Sequence, residues 1–188
     1  MDANKLLEVL HLAEKLKDTT RHSYTSGGRH ESVADHSWRA ALMAYLMKDS
    51  FPEADMDKVI KMLLIHDLGE CFTGDIPVFE KTAEHEEAEE KLLMDWVASL
   101  PEPFAGEMRA LYSEMEARQT LEARIYKCID GFEAVISHNE SDIGTWQENE
   151  YDLNLTYAFD RAAFSPYLTE LRHAIREETL RKIEDAGK

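Results

Sequence analysis

Two histidines and two carboxylates at helical spacing are the residues of this 188-residue chain best placed to do chemistry. His66 and Asp67 are adjacent, and Glu70 follows three residues after Asp67 and four after His66. That spacing puts an imidazole and two carboxylates within about one helical turn. Asp67 also continues the spacing of Ile60, Leu63 and Leu64, so it is predicted to face inward, where a carboxylate needs a metal ion or a cationic side chain as partner. His36 breaks a second apolar stripe, formed by Val33, Ala40, Met43 and Met47. A lone histidine in such a stripe is ordinarily a hydrogen-bonded core residue, but it is also the commonest metal ligand. Together with the 66–70 cluster it leaves two readings open, a divalent metal site or a polar helix end paired with lysine or arginine. Imidazoles and carboxylates without a thiolate suit a catalytic Mn, Co, Fe, Ni or Zn ion. Such an ion lowers the pKa of bound water and polarises a phosphoryl oxygen, with Glu70 as ligand or as a neighbouring proton carrier.

The elements that must position these residues read as helices. Leu6, Val9, Leu10, Ala13 and Leu16 predict an amphipathic helix over 3–17. A polar stretch with Gly27-Gly28 reads as a long loop over 18–29. Ser32, with Asp35 three residues on, caps a helix running to about Lys48. Further helices are expected over 55–70, 78–99, 104–117, 119–138 and 166–184. In the 119–138 segment Leu121, Ile125, Cys128, Ile129, Phe132, Val135 and Ile136 form the buried stripe. Asp130 lies nearly opposite it, alongside Tyr126, Glu133 and Ser137, and periodicity alone predicts it to be solvated. The stretch from Asn139 to Glu150 reads as a loop containing Trp146. No segment alternates with period two. The expected fold is all-α, a single domain of six or more helices over 1–188.

Composition narrows the function classes. Hydrophobic residues make up 44% and charged residues 31%, ordinary globular usage. The net charge of −17 repels polymeric nucleic acid and anionic membrane surfaces, while leaving room for a small nucleotide in one cationic or metal-filled cleft. The longest apolar run, Ala40 to Met47, is too short to span a membrane. The N-terminus shows no secretory signal, and two isolated cysteines, Cys71 and Cys128, fit a reducing cytoplasm. The run Glu84–Glu90 around His85 reads as a solvated helix face, and Cys71 as a packing residue.

Three ordered blocks carry a resemblance: Glu31-Ser32-Val33-Ala34-Asp35-His36-Ser37, Ile65-His66-Asp67-Leu68-Gly69-Glu70, and Thr73-Gly74-Asp75-Ile76-Pro77. Over roughly residues 4–160 the chain resembles the HD-domain metal-dependent phosphohydrolases, and within them the 5′-deoxynucleotidase branch. The resemblance implies an all-helical fold with one divalent metal held by His36, His66, Asp67 and Asp130. It implies that Glu70 and Asp75 work on the attacking water and the leaving group, and that Arg21 and Lys81 meet the phosphate. It also implies a homodimer acting on a small-molecule nucleotide. Where the bacterial members carry a tryptophan linked to deoxyribose selection, this chain has His22. The alternatives are an HD hydrolase acting on another phosphorylated metabolite or a nucleoside triphosphate, and a non-catalytic metal-binding interaction protein.

Overall fold

The computed structural model describes residues 1–187. The chain opens with α1 (Ala3–Ala13), capped by the Asp2 side chain and followed by a short 3₁₀ turn at Glu14–Lys17. None of the α1 residues is buried, and Leu6, Leu7 and Leu10 are about half exposed. Val9, Leu12 and Ala13 are half-buried and Leu12 packs against Leu16 and Val33, so the chain covers that apolar face only in part.

The stretch expected as a loop is instead an antiparallel hairpin, β1 (Thr20–Tyr24) and β2 (His30–Ser32), paired Thr20 to Ser32 and Tyr24 to His30 with an irregularity between. Its turn closes through Thr25 N–H donating to the Arg29 carbonyl and Gly28 N–H donating to the Thr25 carbonyl. Gly28 has φ +83°, a conformation that favours glycine. The strands escaped the period-two test because their side chains are almost all polar, and Arg21, His22 and Ser23 line a polar cavity rather than a core.

Ser32 then caps α2 (Val33–Met47) with a full capping box, its hydroxyl accepting from Asp35 N–H while Asp35 accepts from Ser32 N–H. Val33, His36, Ala40 and Met47 are buried, as the stripe predicted, while Met43 is only half-buried and Ala44, outside the stripe, is fully buried. Small residues at 40, 41 and 44 let α2 lie close against α3 (Met56–Ile65), capped by Asp55. The inward face of α3 is Met56, Val59, Met62 and Leu63, while Leu64, expected inside, is 53% exposed.

The helix expected to reach Glu70 stops at Ile65. The Ile65 carbonyl accepts from Tyr112 Oη at 2.6 Å and from Leu68 N–H, which converts residues 66–69 into tight turns. One helical turn, α4 (Glu70–Thr73), follows and ends at Gly74, whose φ of +78° only glycine adopts readily. The acidic helix α5 (Ala83–Ala98) begins five residues later than expected, capped by Thr82, with His85 completing the cap on the exposed face.

Next come α6 (Phe104–Ala117) and α7 (Leu121–Glu140), then a short 3₁₀ turn at Ile143–Thr145. Three further helices follow: α8 (Glu148–Thr156), a single turn α9 (Phe159–Ala162), and α10 (Pro166–Asp185). The core is built where α2, α3 and α7 meet, with Val59, Met62, Leu63, Ile125, Ile129 and Phe132 excluded from solvent, and α10 adds Leu168 and Ile175. The fold is all-α apart from the hairpin. Among the described residues no helix is long and apolar enough to cross a membrane.

Candidate metal centre and catalytic pocket

The centre forms where the middle of α7 faces the first turn of α2 and the end of α3. His36 sits in that first turn and is fully buried. His66 and Asp67 occupy the tight turns after α3, and Asp130 lies mid-way along α7. Their ligand-type atoms converge. The two histidine Nε2 atoms are 3.1 Å apart, and Asp67 Oδ2 is 3.1 Å from His66 Nε2 and 3.7 Å from His36 Nε2. Asp130 Oδ1 lies 3.3 Å from His36 Nε2 and 3.7 Å from His66 Nε2.

The face of α7 that periodicity predicted to be solvated is closed over by the hairpin and α2. Glu133 is 0% exposed and Ser137 2%. This closure brings Asp130 to the centre, and it explains why spacing along α7 alone missed it.

Both imidazoles are held in one tautomer. His66 Nδ1 donates to the Leu63 carbonyl at 2.9 Å, and His36 Nδ1 donates to Glu133 Oε2. A carbonyl or a carboxylate can only accept, so each Nδ1 carries a proton, and a metal ion that displaced a second proton would meet the Nε2 lone pair of each ring. Asp67 Oδ2 is buried with no hydrogen-bond donor. Burial works against charge on Asp67, yet His66, His36 and Arg21 keep its carboxyl well below the usual range. His66 is likewise disfavoured as a cation by burial, but Asp67 and Asp130 raise its pKa well above the ordinary histidine value. The centre is thus built to stabilise positive charge. Two Nε2 atoms and two carboxylate oxygens, one of them the orphaned Asp67 Oδ2, fit a divalent cation.

Residues that sequence spacing did not single out support the centre. Lys127 Nζ holds Asp130 Oδ2 at 2.8 Å. Arg39 Nε holds Glu133 Oε1 at 2.6 Å, and Arg39 also bonds Ser137 and Glu140. Glu31 accepts from Ser23 Oγ at 2.8 Å and from Ser137 Oγ at 2.6 Å, which ties the hairpin to α7. Glu133 lies three residues after Asp130 on one helix face, the only signal that could have found it.

Around the centre lie the other predicted site residues. Arg21 Nη1 is 3.6 Å from Asp67 Oδ2, and its guanidinium stays charged despite burial because Asp67, Glu133, Asp75 and Glu31 surround it. Glu70 is 6% exposed with one carboxylate oxygen unpartnered, and burial, Asp67 and Asp75 push its pKa up to about 10. The Asp75 carboxyl is raised as well, by burial and by Asp67, against the pull of Arg21. Arg21, Asp75, Lys81 and Asp130 line one cavity of about 370 Å³. Lys81 is paired with Glu89 at 2.8 Å, so it borders that cavity without pointing a free charge at the centre.

An all-helical bundle with a His/His-Asp/Asp convergence on its central helices defines a class. Residues 13–172 match the HD domain family model, and the chain belongs to that family. A predicted metal-dependent phosphohydrolase of Magnetospirillum magnetotacticum MS-1 superposes with a TM-score of 0.80 at 30% identity, over 96% of this chain and 95% of that one. The human 5′-deoxynucleotidase HDDC2 is 32% identical over 142 residues, 73% of this chain and 69% of the relative. The Dictyostelium discoideum 5′-deoxynucleotidase HDDC2 is 31% identical over 169 residues, 84% and 89% of the two chains. The cyanophage S-2L HD phosphohydrolase DatZ, bound to dA and one catalytic Zn²⁺, shares the fold with a TM-score of 0.57 at 22% identity.

Proposed function

We propose that this chain is a cytoplasmic, metal-dependent 5′-nucleotidase that releases phosphate from nucleoside 5′-monophosphates, deoxynucleotides among them. The observation that carries the reading is the convergence of two tautomer-fixed Nε2 atoms with Asp67 Oδ2 and Asp130 Oδ1, beside a buried acid of raised pKa. Similarity to 5′-deoxynucleotidases points the same way. His36, His66, Asp67 and Asp130 would hold one divalent ion, of Mn, Co, Fe, Ni or Zn. When bound, it supplies a water of lowered pKa and a polarised phosphoryl oxygen.

The remaining work belongs to the chain. Glu70 orients the attacking water and, once the positive charge of a bound ion has lowered its raised pKa and ionised it, would take the water's proton. Asp75, whose carboxyl binds a proton more tightly than usual, gives one to the departing 5′-oxygen. Arg21 balances charge on the phosphoryl group, the electrostatic work on which such transfers chiefly depend, and Lys81 joins it once the phosphate draws its ammonium from Glu89. The net charge of −17 keeps polymeric nucleic acid away. Free, buried Cys71 and Cys128 suit a reducing compartment. A homodimer belongs to the same reading, supported by Trp38, Leu42, Tyr45 and Leu46, which share the uncovered outer face of α2.

The test is phosphate release from deoxy- and ribonucleoside 5′-monophosphates by chelator-stripped protein refilled with Mn, Co, Fe, Ni, Zn or Mg in turn, with Glu70→Ala as control. Metal-dependent release abolished in the control is expected. Turnover and metal content that both survive Asp67→Ala would overturn the reading.

A further inference from the structure

Lys81 has a partner to which the reaction above gives no task of its own. Lys81 Nζ lies 2.8 Å from Glu89 Oε2, about two turns into α5, and among the described residues neither side chain has another ion-pair partner. The pair is largely buried, the Lys81 side chain 25% exposed and that of Glu89 15%. Burial works against the Lys81 ammonium, yet Glu89, Glu70 and Asp67 raise its pKa above the ordinary lysine value. Lys81 lines the cavity of Arg21, Asp75 and Asp130, and also a second cavity of about 680 Å³ that Glu89 lines with His66 and Asp67. It therefore stands where both cavities border the centre.

Glu89 is seated on Gly69, in the tight turns between Asp67 and Glu70. A Cβ on Gly69 would lie 2.8 Å from Glu89 Cγ and 2.9 Å from Glu89 Oε1, closer than such atoms approach. The missing side chain leaves the space in which Glu89 rests, so its carboxylate is set against the turn that carries Asp67 and Glu70. A flexible four-carbon stem lets the Lys81 ammonium swing away from that carboxylate, while the seat keeps the carboxylate in place.

Resting on the nucleotidase reading, we infer that Glu89 is a positioning residue for Lys81: it holds the ammonium beside the centre between turnovers, yields it to the phosphoryl group of the substrate, and takes it back as phosphate departs. Glu89 and the phosphate compete for one ammonium, so each binding event breaks a largely buried ion pair. That loss weakens the hold on substrate and product alike, which lets Lys81 serve binding without trapping the phosphate after hydrolysis. A change felt equally in the ground state and the transition state moves KM and leaves kcat unchanged.

The experiment measures KM and kcat for 2′-deoxyadenosine 5′-monophosphate, and the inhibition constant of inorganic phosphate, on the metal-loaded wild type, Glu89→Gln, Lys81→Met and the double variant. Glu89→Gln keeps the size of the side chain and an accepting oxygen on the Gly69 seat. It is expected to lower KM and the phosphate constant together, each about 5-fold, the worth of one partly shielded ion pair, with no rise in kcat. In the Lys81→Met background the same substitution is expected to change neither, the non-additivity of two residues that act through one contact. A merely structural Glu89 would shift both backgrounds alike. That result, or constants unmoved by Glu89→Gln alone, overturns the inference. Calorimetric titration with inorganic phosphate reads the same ratios without turnover. A wild type that hydrolyses no nucleotide thus overturns the nucleotidase reading, while the phosphate titration still decides the role of Glu89.

Discussion

Glu133 accepts the Nδ1 proton of His36 in a bond from which solvent is fully excluded on both sides. Arg39 holds the other Glu133 oxygen, so a chain runs from the surface through Arg39 and Glu133 to the buried imidazole. The carboxylate fixes the ring's tautomer and raises the basicity of Nε2. Glu133→Gln is therefore expected to weaken metal affinity about 10- to 100-fold. Competition with a chromophoric chelator measures it, and an unchanged affinity would count against this role.

Metal binding should also stabilise the fold, because the four ligand residues come from α2, the turns after α3, and α7, and are together only in the native state. With free metal at about 100 times Kd the gain is about 2.7 kcal/mol. For a chain of this size that is a Tm rise of about 5–10 °C. Scanning calorimetry with and without chelator checks it, and Asp67→Ala is expected to erase the shift.

Glu70 makes stability depend on pH. Its carboxyl titrates from 4.5 when unfolded and is pushed up to about 10 when folded, by burial and the neighbouring Asp67 and Asp75. Above pH 4.5 the unfolded chain releases this proton while the folded one retains it, so the contribution to stability declines as pH rises toward 10. Glu70→Gln removes that dependence. Urea midpoints in chelator at acid, neutral and alkaline pH should move in favour of the variant as pH increases, and parallel curves would contradict the assignment.

Arg172 is fully buried in α10, with Nε donating to the Tyr157 carbonyl at 2.8 Å and Nη2 to the Asn154 carbonyl at 2.7 Å. It clamps the end of α8, whose Asn154 and Tyr157 line the cavity. Arg172→Leu orphans two buried carbonyls, and a loss of about 3 kcal/mol is expected from denaturant unfolding. A loss under 1 kcal/mol would mean that α8 is held by its other contacts.

Local spacing made part of the centre legible. His36 interrupts a buried stripe on α2, and the Ser32 capping box fixes where that helix begins, so the histidine's burial followed from the sequence. His66, Asp67 and Glu70 were legible as a cluster by proximity along the chain. The resemblance to the HD proteins implied Asp75, in its third block, and Arg21 and Asp130 outside the blocks, none of which spacing alone revealed.

Local signals misled where a long-range contact decided the outcome. Tyr112, forty-seven residues from Ile65, takes that residue's carbonyl and ends α3 early. The hairpin carries few apolar side chains because it faces a polar cavity, so its strands left no alternating pattern.

The sequence by itself determined the helical architecture, the caps and the inward-facing His36, because these depend on residues within a few positions of one another. Only the tertiary structure decided that the polar face of α7 is roofed over. That closure sets Asp130 beside the histidines and places Glu133 behind His36. Each of these is a meeting of residues far apart in the chain, and helical periodicity carries no information about what another element lays across a face.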